Sequence, residues 1–289
     1  MNSKKSAVWN KWSLSITIGI FALAGIGFAY TRIHHISLRP SKIIARLKGV
    51  NLYDPAEGYF KHGDPNKKIV ALTIDDGPHP KYLPIILNDL QQANVHATFF
   101  EVGEMMKKAP QLVRDVLNDG NEVGDHTYTH PRLTTITPDQ IRWQIMACEK
   151  EFHKITGRKM DLFRPPGFDE NPAILDEIKS LGFITVGWTV GAHDYIVTGI
   201  RSTPNPQKVE ADVLKNVKPG AIILLHDAPG TDLALPFILA TLKQRGYKVV
   251  MASQLMSYLP HPVKVATNAG KVLGNINAQL PKKSAKIKL

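Results

Sequence analysis

The sequence predicts an α/β domain built on a parallel sheet, and three observations predict it. Short, β-branched apolar runs alternate with stretches of helical period from residue 68 to about residue 251. The connections between them are short. Polar residues with chemical capability recur at the carboxyl ends of those runs, which in a parallel α/β fold share one face. Such a sheet is open or closed into a barrel.

The elements follow in order. Residues 68–74, KIVALTI, are short, apolar and β-branched, the pattern of a buried strand. Further strands are expected at 95–100, 121–125, 160–164, 183–188, 220–226 and 247–251. Helices are expected at 81–93, 104–118, 138–156, 171–181, 206–217 and 233–245. Thr137 and Pro138 open one of these as N-cap and first helical residue. Gly182 and Gly246 stop two others. There is no internal repeat.

The chain has 289 residues and a formal net charge of +11, which at first suggests an anionic partner. Its distribution removes that reading for the core. Residues 1–50 carry eight Lys/Arg and residues 260–289 six Lys, with no Asp or Glu in either stretch. Taking those fourteen charges from +11 leaves about −3 for residues 51–259, so no nucleic-acid groove is expected there. A single cysteine, Cys148, excludes an internal disulfide and falls in a helical pattern as a small buried residue.

Residues 13–30 are free of charge and, as a helix, would span roughly 27 Å, close to a bilayer core. Trp9, Trp12 and Tyr30 flank them as interfacial aromatics would. Ala22-Leu23-Ala24 resembles a cleavage site, but the apolar run continues past it, so an uncleaved anchor is expected over a signal peptide. The expected organisation is an anchor or signal at 1–31, a connector at 32–66, the main domain at 67–258 and a basic tail at 259–289. Either N-terminal reading puts the main domain outside the cytoplasm: membrane-bound and single-pass, or secreted if cleaved.

The functional signal begins where the first strand ends. Asp75 and Asp76 are adjacent carboxylates that repel each other and resist burial. Asp125, His126 and His130 follow the third strand, Arg164 closes the fourth, Trp188 and the loop to Asp194 follow the fifth, and His226 and Asp227 close the sixth. His126 and His130 stand four apart, which on one helical turn puts both imidazoles on one side. Two imidazoles and one carboxylate make a three-ligand metal site with a position left for water. One aspartate of the pair can bind the metal while its neighbour serves as base, and the cation lets the two anions coexist.

With those residues in place, the chain from about 66 to 256 resembles the polysaccharide deacetylase family, the NodB-homology domain of the family 4 carbohydrate esterases. The motifs are TIDDGP at 73–78, with Ile74 where Phe is usual, HTYTH at 126–130, RPPGF at 164–168 and LLH at 224–226. The resemblance implies a distorted, NodB-like (β/α) barrel of about seven strands and a metal-dependent hydrolase removing acetyl groups from N-acetylated sugars. It implies Asp76, His126 and His130 as metal ligands, Asp75 as general base, His226 as general acid and Arg164 as the partner of Asp75. The backbone N–H near Gly167 would stabilise the oxyanion, with Trp188 and Asp194 on the substrate side. It implies a divalent ion, zinc first, with cobalt or another transition metal as alternatives. One motif departs: GAHDY at 191–195 has Gly191 and Tyr195 where the family shows Asp and Trp. The resemblance implies that the missing carboxylate weakens support of the catalytic His unless Asp194 or Asp227 compensates.

The expected partner is an extracytoplasmic glycan of peptidoglycan or chitin type, with the membrane engaged through the N-terminal segment and no nucleic acid or obligate protein partner. The alternatives are an amide hydrolase acting on a small molecule, and a non-catalytic glycan-binding module.

Overall fold

A computed structural model describes residues 53–54, 58–192, 194 and 205–259. The expected membrane segment at 13–30, with all of 1–31, lies outside the described residues, as do 32–52 and 55–57 of the expected connector and 260–289 of the expected tail. Among the described residues no helix is long and apolar enough to cross a membrane.

The described strands are β1 (Tyr53–Asp54), β2 (Tyr59–Phe60), β3 (Ile69–Gly77), β4 (Thr98–Glu101), β5 (Glu122–Asp125), β6 (Leu162–Phe163), β7 (Ile184–Val186), β8 (Val190–Gly191), β9 (Ile222–His226) and β10 (Lys248–Val250). They form one sheet in the order β1-β2-β7-β6-β5-β4-β3-β9-β8, with β10 beside the first residues of β3. Every pairing is parallel except β1 with β2. β7 and β8 belong to one stretch, residues 184–191. Its start pairs with β6 and its end with β9, so it joins both ends of the row β6-β5-β4-β3-β9. The sheet is thereby curled into a distorted α/β half-barrel, as the family resemblance implies, with ten strands among the described residues where about seven are expected.

Period-two alternation on β3 decides what faces inward. Val70, Leu72 and Ile74 join the apolar layer shared with the helices, whereas Ala71 packs in a second, inner cluster with Phe60, Phe100, Leu162, Val186 and Ile222. Thr73 and Asp75 continue the inward row above Ala71, and both bond Arg164. The inner cluster is closed at the amino ends of the strands by α8 (Ala252–Ser257), whose Leu255 and Met256 join it, while Ala252 N–H donates to Thr98 Oγ1 (2.8 Å). The carboxyl ends are left for the site.

The remaining helices are α1 (Leu83–Ala93), α2 (Gly103–Lys108), α3 (Pro110–Asn118), α4 (Pro138–Thr156), α5 (Pro172–Ser180), α6 (Pro206–Asn216) and α7 (Thr231–Gln244). The helix expected at 104–118 is two helices. Pro110 disfavours the α region for Ala109, which takes φ −132°, ψ 59° and breaks the axis. α4 has its expected start: Thr137 accepts from Gln140 N–H in a capping box, and Pro138 opens the helix. The sheet also extends into the stretch read as connector, because β2 pairs with β7. Two-residue strands such as Tyr59–Phe60 are too short to show a period. The strand expected at 183–188 ends at Val186. At Gly187 the backbone passes so close to Tyr59 that a Cβ would lie 2.9 Å from its ring; its N–H makes the last bond to β2, to Phe60 O (2.8 Å), while Val186 O and Gly187 O accept from Arg164.

Candidate active site

The site grows from a local defect in β3. In the β3–β4 ladder Asp75 pairs with Phe100 and Gly77 with Glu101, so Asp76 is an unpaired bulge residue. Its φ is +70°, a left-handed conformation that Asp tolerates better than most residues. Strict alternation would send Asp76 towards the helix layer. The bulge turns it instead to the open end of the barrel, where its side chain is 40% exposed, while Asp75 stays inside at 5%.

His126 and His130 meet Asp76 there. His130 Nε2 lies 3.1 Å and His126 Nε2 3.3 Å from Asp76 Oδ1, and the three potential ligand atoms lie within 4.8 Å of one another. The turn that brings the histidines together is not the helical turn expected from their spacing. Residues 126–130 follow β5 as irregular chain, with Thr127 at φ +68° and His130 at φ +58°. Asp125 Oδ1 accepts from Thr127 N–H (2.7 Å), and this bond competes with helix formation. His126 Nδ1 donates to Arg164 O (2.8 Å), which leaves Nε2 as the free lone pair facing Asp76.

This donor set fits a divalent cation. Asp76 Oδ1 is shut off from solvent with no well-formed hydrogen bond, and two imidazole Nε2 atoms converge on it. Burial works to raise the Asp76 carboxyl, but the imidazoles of His126 and His130 outweigh it and hold it well below the usual carboxylate range.

Beside this cluster Asp75 faces Arg164. Nη1 of Arg164 donates to Asp75 Oδ1 and to Thr73 Oγ1 (both 2.7 Å), Nε to Val186 O (3.1 Å) and Nη2 to Gly187 O (2.9 Å). Arg164 is fully buried, with its guanidinium 4.2 Å above the Phe100 ring. Asp75 Oδ2 lies 3.8 Å from His126 Nε2, next to the metal-ligand cluster.

His226 approaches from β9, whose last residue pairs with Asp75. Its Nδ1 donates to Asp194 Oδ1 (2.8 Å), and its backbone N–H donates to Asp194 Oδ2 (2.6 Å). Thr231 Oγ1 donates to the same Oδ2 (2.6 Å). Burial lowers the imidazole, but Asp194, with smaller contributions from Asp75 and Asp76, lifts it to about 9.

Asp194 therefore stands differently from its expected place among substrate-side groups: it is fully buried, under His226. The expected deficit at Gly191 is also corrected, because Asp194 supplies the carboxylate for His226. A side chain at 191 would meet the Trp188 ring at 3.2 Å. Trp188 is 42% exposed and packs edge-to-face with Phe168 at 5.8 Å. Gly167 sits in the 166–168 turn at φ +59°, with nothing within 4 Å of where a Cβ would be. His193 lies outside the described residues.

Two residues, Gln144 and Glu101, escaped sequence reasoning, and Asp227 is read there only as a strand-end residue. Gln144 of α4 holds the 127–129 turn, though a glutamine in a helix carries no signal of that task. Glu101 is wholly buried opposite Gly77. Burial, then the charges of Asp227, Asp75 and Asp76, push it well above the carboxylate range. Asp227, whose Oδ2 accepts from His79 N–H (2.6 Å), is pushed up to about 7, chiefly by burial. Glu101 ends its strand as His226 does, and that position was the available signal.

Known proteins resemble this chain in sequence and in fold. The family model described as polysaccharide deacetylase matches residues 62–186. A peptidoglycan-N-acetylglucosamine deacetylase of Bacillus cereus is 38% identical over 199 residues, covering 67% of this chain and 90% of the relative. The peptidoglycan-N-acetylmuramic acid deacetylase PdaA of Bacillus subtilis is 34% identical over 200 residues, covering 68% and 74%. The solved structure of PdaA, a family 4 carbohydrate esterase, superposes with a TM-score of 0.64 at 33% identity, over 69% of this chain and 85% of that one. A CE4-family pseudoenzyme from Bacillus anthracis superposes with a TM-score of 0.65 at 32% identity, over 70% and 69%. A mutant of that pseudoenzyme with restored enzymatic activity gives the same TM-score at 33% identity, over 70% and 72%.

Proposed function

The chain belongs to the polysaccharide deacetylase family, and from that premise we propose that it is a metal-dependent deacetylase of an extracytoplasmic glycan bearing N-acetylglucosamine or N-acetylmuramic acid. The observation that carries the reading is the meeting of Asp76, His126 and His130 beside two separately braced groups, Asp75 with Arg164 and His226 with Asp194.

Asp76, His126 and His130 hold one divalent cation; two imidazoles and a carboxylate suit zinc, and cobalt or another transition metal is accommodated by the same donors. When bound, the ion supplies Lewis acidity toward the attacking water and the acetamide carbonyl. Asp75 takes the proton of the water as its oxygen bonds the carbonyl carbon. Arg164 orients Asp75 through Nη1 and supplies the positive charge its carboxylate faces. The N–H of Gly167 donates to the carbonyl oxygen as negative charge develops there. His226 gives its proton to the nitrogen as the C–N bond breaks, releasing acetate and the free amine. Asp194 keeps that proton on His226 at neutral pH and fixes the plane of the ring.

The exposure of Asp76 and His130, 40% and 41% at the side chain, favours a long glycan lying across the site over an enclosed small molecule. Trp188 and Phe168 form an aromatic wall beside it. The charge-free segment at 13–30 supports placement at the outer face of the membrane, anchored or secreted. A non-catalytic role is the second reading, favoured by the likeness to a pseudoenzyme. The presence of Asp75, Asp76, His126, His130, Arg164 and His226 together supports the catalytic one.

Acetate release from defined N-acetyl-oligosaccharides and from peptidoglycan, with and without chelator, decides. Release that stops with chelator and returns with zinc is expected. No release from any glycan would favour the second reading, and release indifferent to chelator would remove the metal.

A further inference from the structure

The backbone N–H groups of the turn that carries both histidines can be followed one by one. His126 N–H donates to Glu101 O (3.1 Å), Thr127 N–H to Asp125 Oδ1 (2.7 Å) and His130 N–H to Thr127 Oγ1 (3.0 Å). The remaining two, Tyr128 N–H (3.0 Å) and Thr129 N–H (2.8 Å), both go to Gln144 Oε1. Gln144 Nε2 donates in turn to Thr129 Oγ1 (2.7 Å). Two N–H donors on one atom require that atom to be the amide oxygen, which fixes the orientation of the side chain.

Gln144 is well placed to be rigid. It is 8% exposed and lies on α4 between Ile141, Ile145 and Cys148, all buried. The carbonyls of the turn are held from the other side, Thr127 O by Gly103 N–H (3.0 Å) and Tyr128 O by Glu104 N–H (2.9 Å). The turn is thus gripped between the start of α2 and one side chain of α4.

The two histidines differ in how they depend on this grip. His126 follows β5 directly and is fixed by Arg164 O. His130 is reached through the turn, at a left-handed φ, and its position is set by what holds residues 127–129. We propose that Gln144 is a positioning residue of the metal centre, a three-bond clamp that sets the distance of His130 from His126 and Asp76. The inference rests on the metal reading above.

Zinc affinity of the metal-free full-length protein, titrated against a chelating indicator, provides the test. Gln144→Met keeps the volume and removes all three bonds. Its zinc Kd is expected to rise roughly 10–100-fold, the range found for groups that orient metal ligands, while the metal-free protein, lower in Tm for the lost bonds, stays folded at the assay temperature. Gln144→Glu keeps acceptors for both N–H groups and can accept from the Thr129 hydroxyl, so its Kd should remain within a few-fold of wild type. A folded Gln144→Met with wild-type affinity overturns the proposal. If Gln144→Met does not fold, Gln144→Glu decides, and an affinity roughly ten-fold weaker than wild type overturns it equally. Absence of zinc binding in the wild type would defeat the metal reading itself, and the clamp with it.

Discussion

The two halves of the site are built by opposite means. The half that gathers Asp76, His126 and His130 exposes two of its three ligands, takes them from a strand bulge and irregular chain, and depends on left-handed residues. The half that carries Asp75, Arg164, His226 and Asp194 is largely buried, takes three of its groups from strand ends and the fourth from a loop, and is fixed by charge-assisted hydrogen bonds of 2.6–2.8 Å. The difference follows from the tasks. A cation can compensate mutual repulsion and gather ligands from exposed chain, so its pocket tolerates solvent. A proton-transfer group has to keep one protonation state and one orientation, which burial beside a fixed countercharge provides.

Separating the two adjacent aspartates is the strongest way to break this contrast. Asp76→Asn is expected to lose zinc and activity together. Asp75→Asn should retain zinc yet lose about 10²–10⁴-fold in kcat, the usual contribution of a general base. Metal analysis alongside kcat distinguishes them, and near-normal turnover in Asp75→Asn would refute the division of labour.

A smaller effect should appear in Asp194→Asn, as a shift in pH dependence. His226 acts while protonated, so kcat/KM of the wild type should fall as pH rises through about 9. Without the anion, burial remains as the main influence and lowers the imidazole. The alkaline limb should then move down towards the ordinary value of about 6.5, with zinc content unchanged. An unmoved limb would show that Asp194 does not support His226.

The smallest effect is expected for Thr231→Val. It removes one donor to Asp194 Oδ2 and leaves the bonds from His226 in place. A loss of about 1–2 kcal/mol is expected, read as a fall in Tm of about 2–8 °C with zinc affinity preserved. A weakened metal site in this variant would mean that the two halves are coupled.

The same contrast explains what was legible in the sequence. Buried strands announce themselves by composition, so the carboxyl-end positions of Asp75, Arg164 and His226 could be read. Irregular chain does not announce itself. The spacing of His126 and His130 suggests a helical turn, while the structure uses Thr127 and His130 at positive φ, stabilised by Asp125 and Gln144 from outside the interval. Asp76 gave no sign of a bulge, since bulges depend on the partner strand as much as on the residue. Asp194 was misplaced for a related reason: no spacing rule says whether a loop carboxylate turns outward to substrate or inward under His226.

Among the described residues five that are not glycine take positive φ, and four of them, Asp76, Thr127, His130 and Phe168, surround this site. Left-handed backbone costs a side-chain-bearing residue roughly 1–2 kcal/mol, less for aspartate, and glycine escapes it. Glycine costs about 0.5–1 kcal/mol in entropy elsewhere in a chain, so at these positions the two effects nearly cancel. A lineage released from selection for catalysis can therefore discard Asp76 and His130, the two ligands at positive φ, at little penalty to folding. The barrel would persist as a shape without a reaction, and fold similarity alone is a poor guide to which descendants still work.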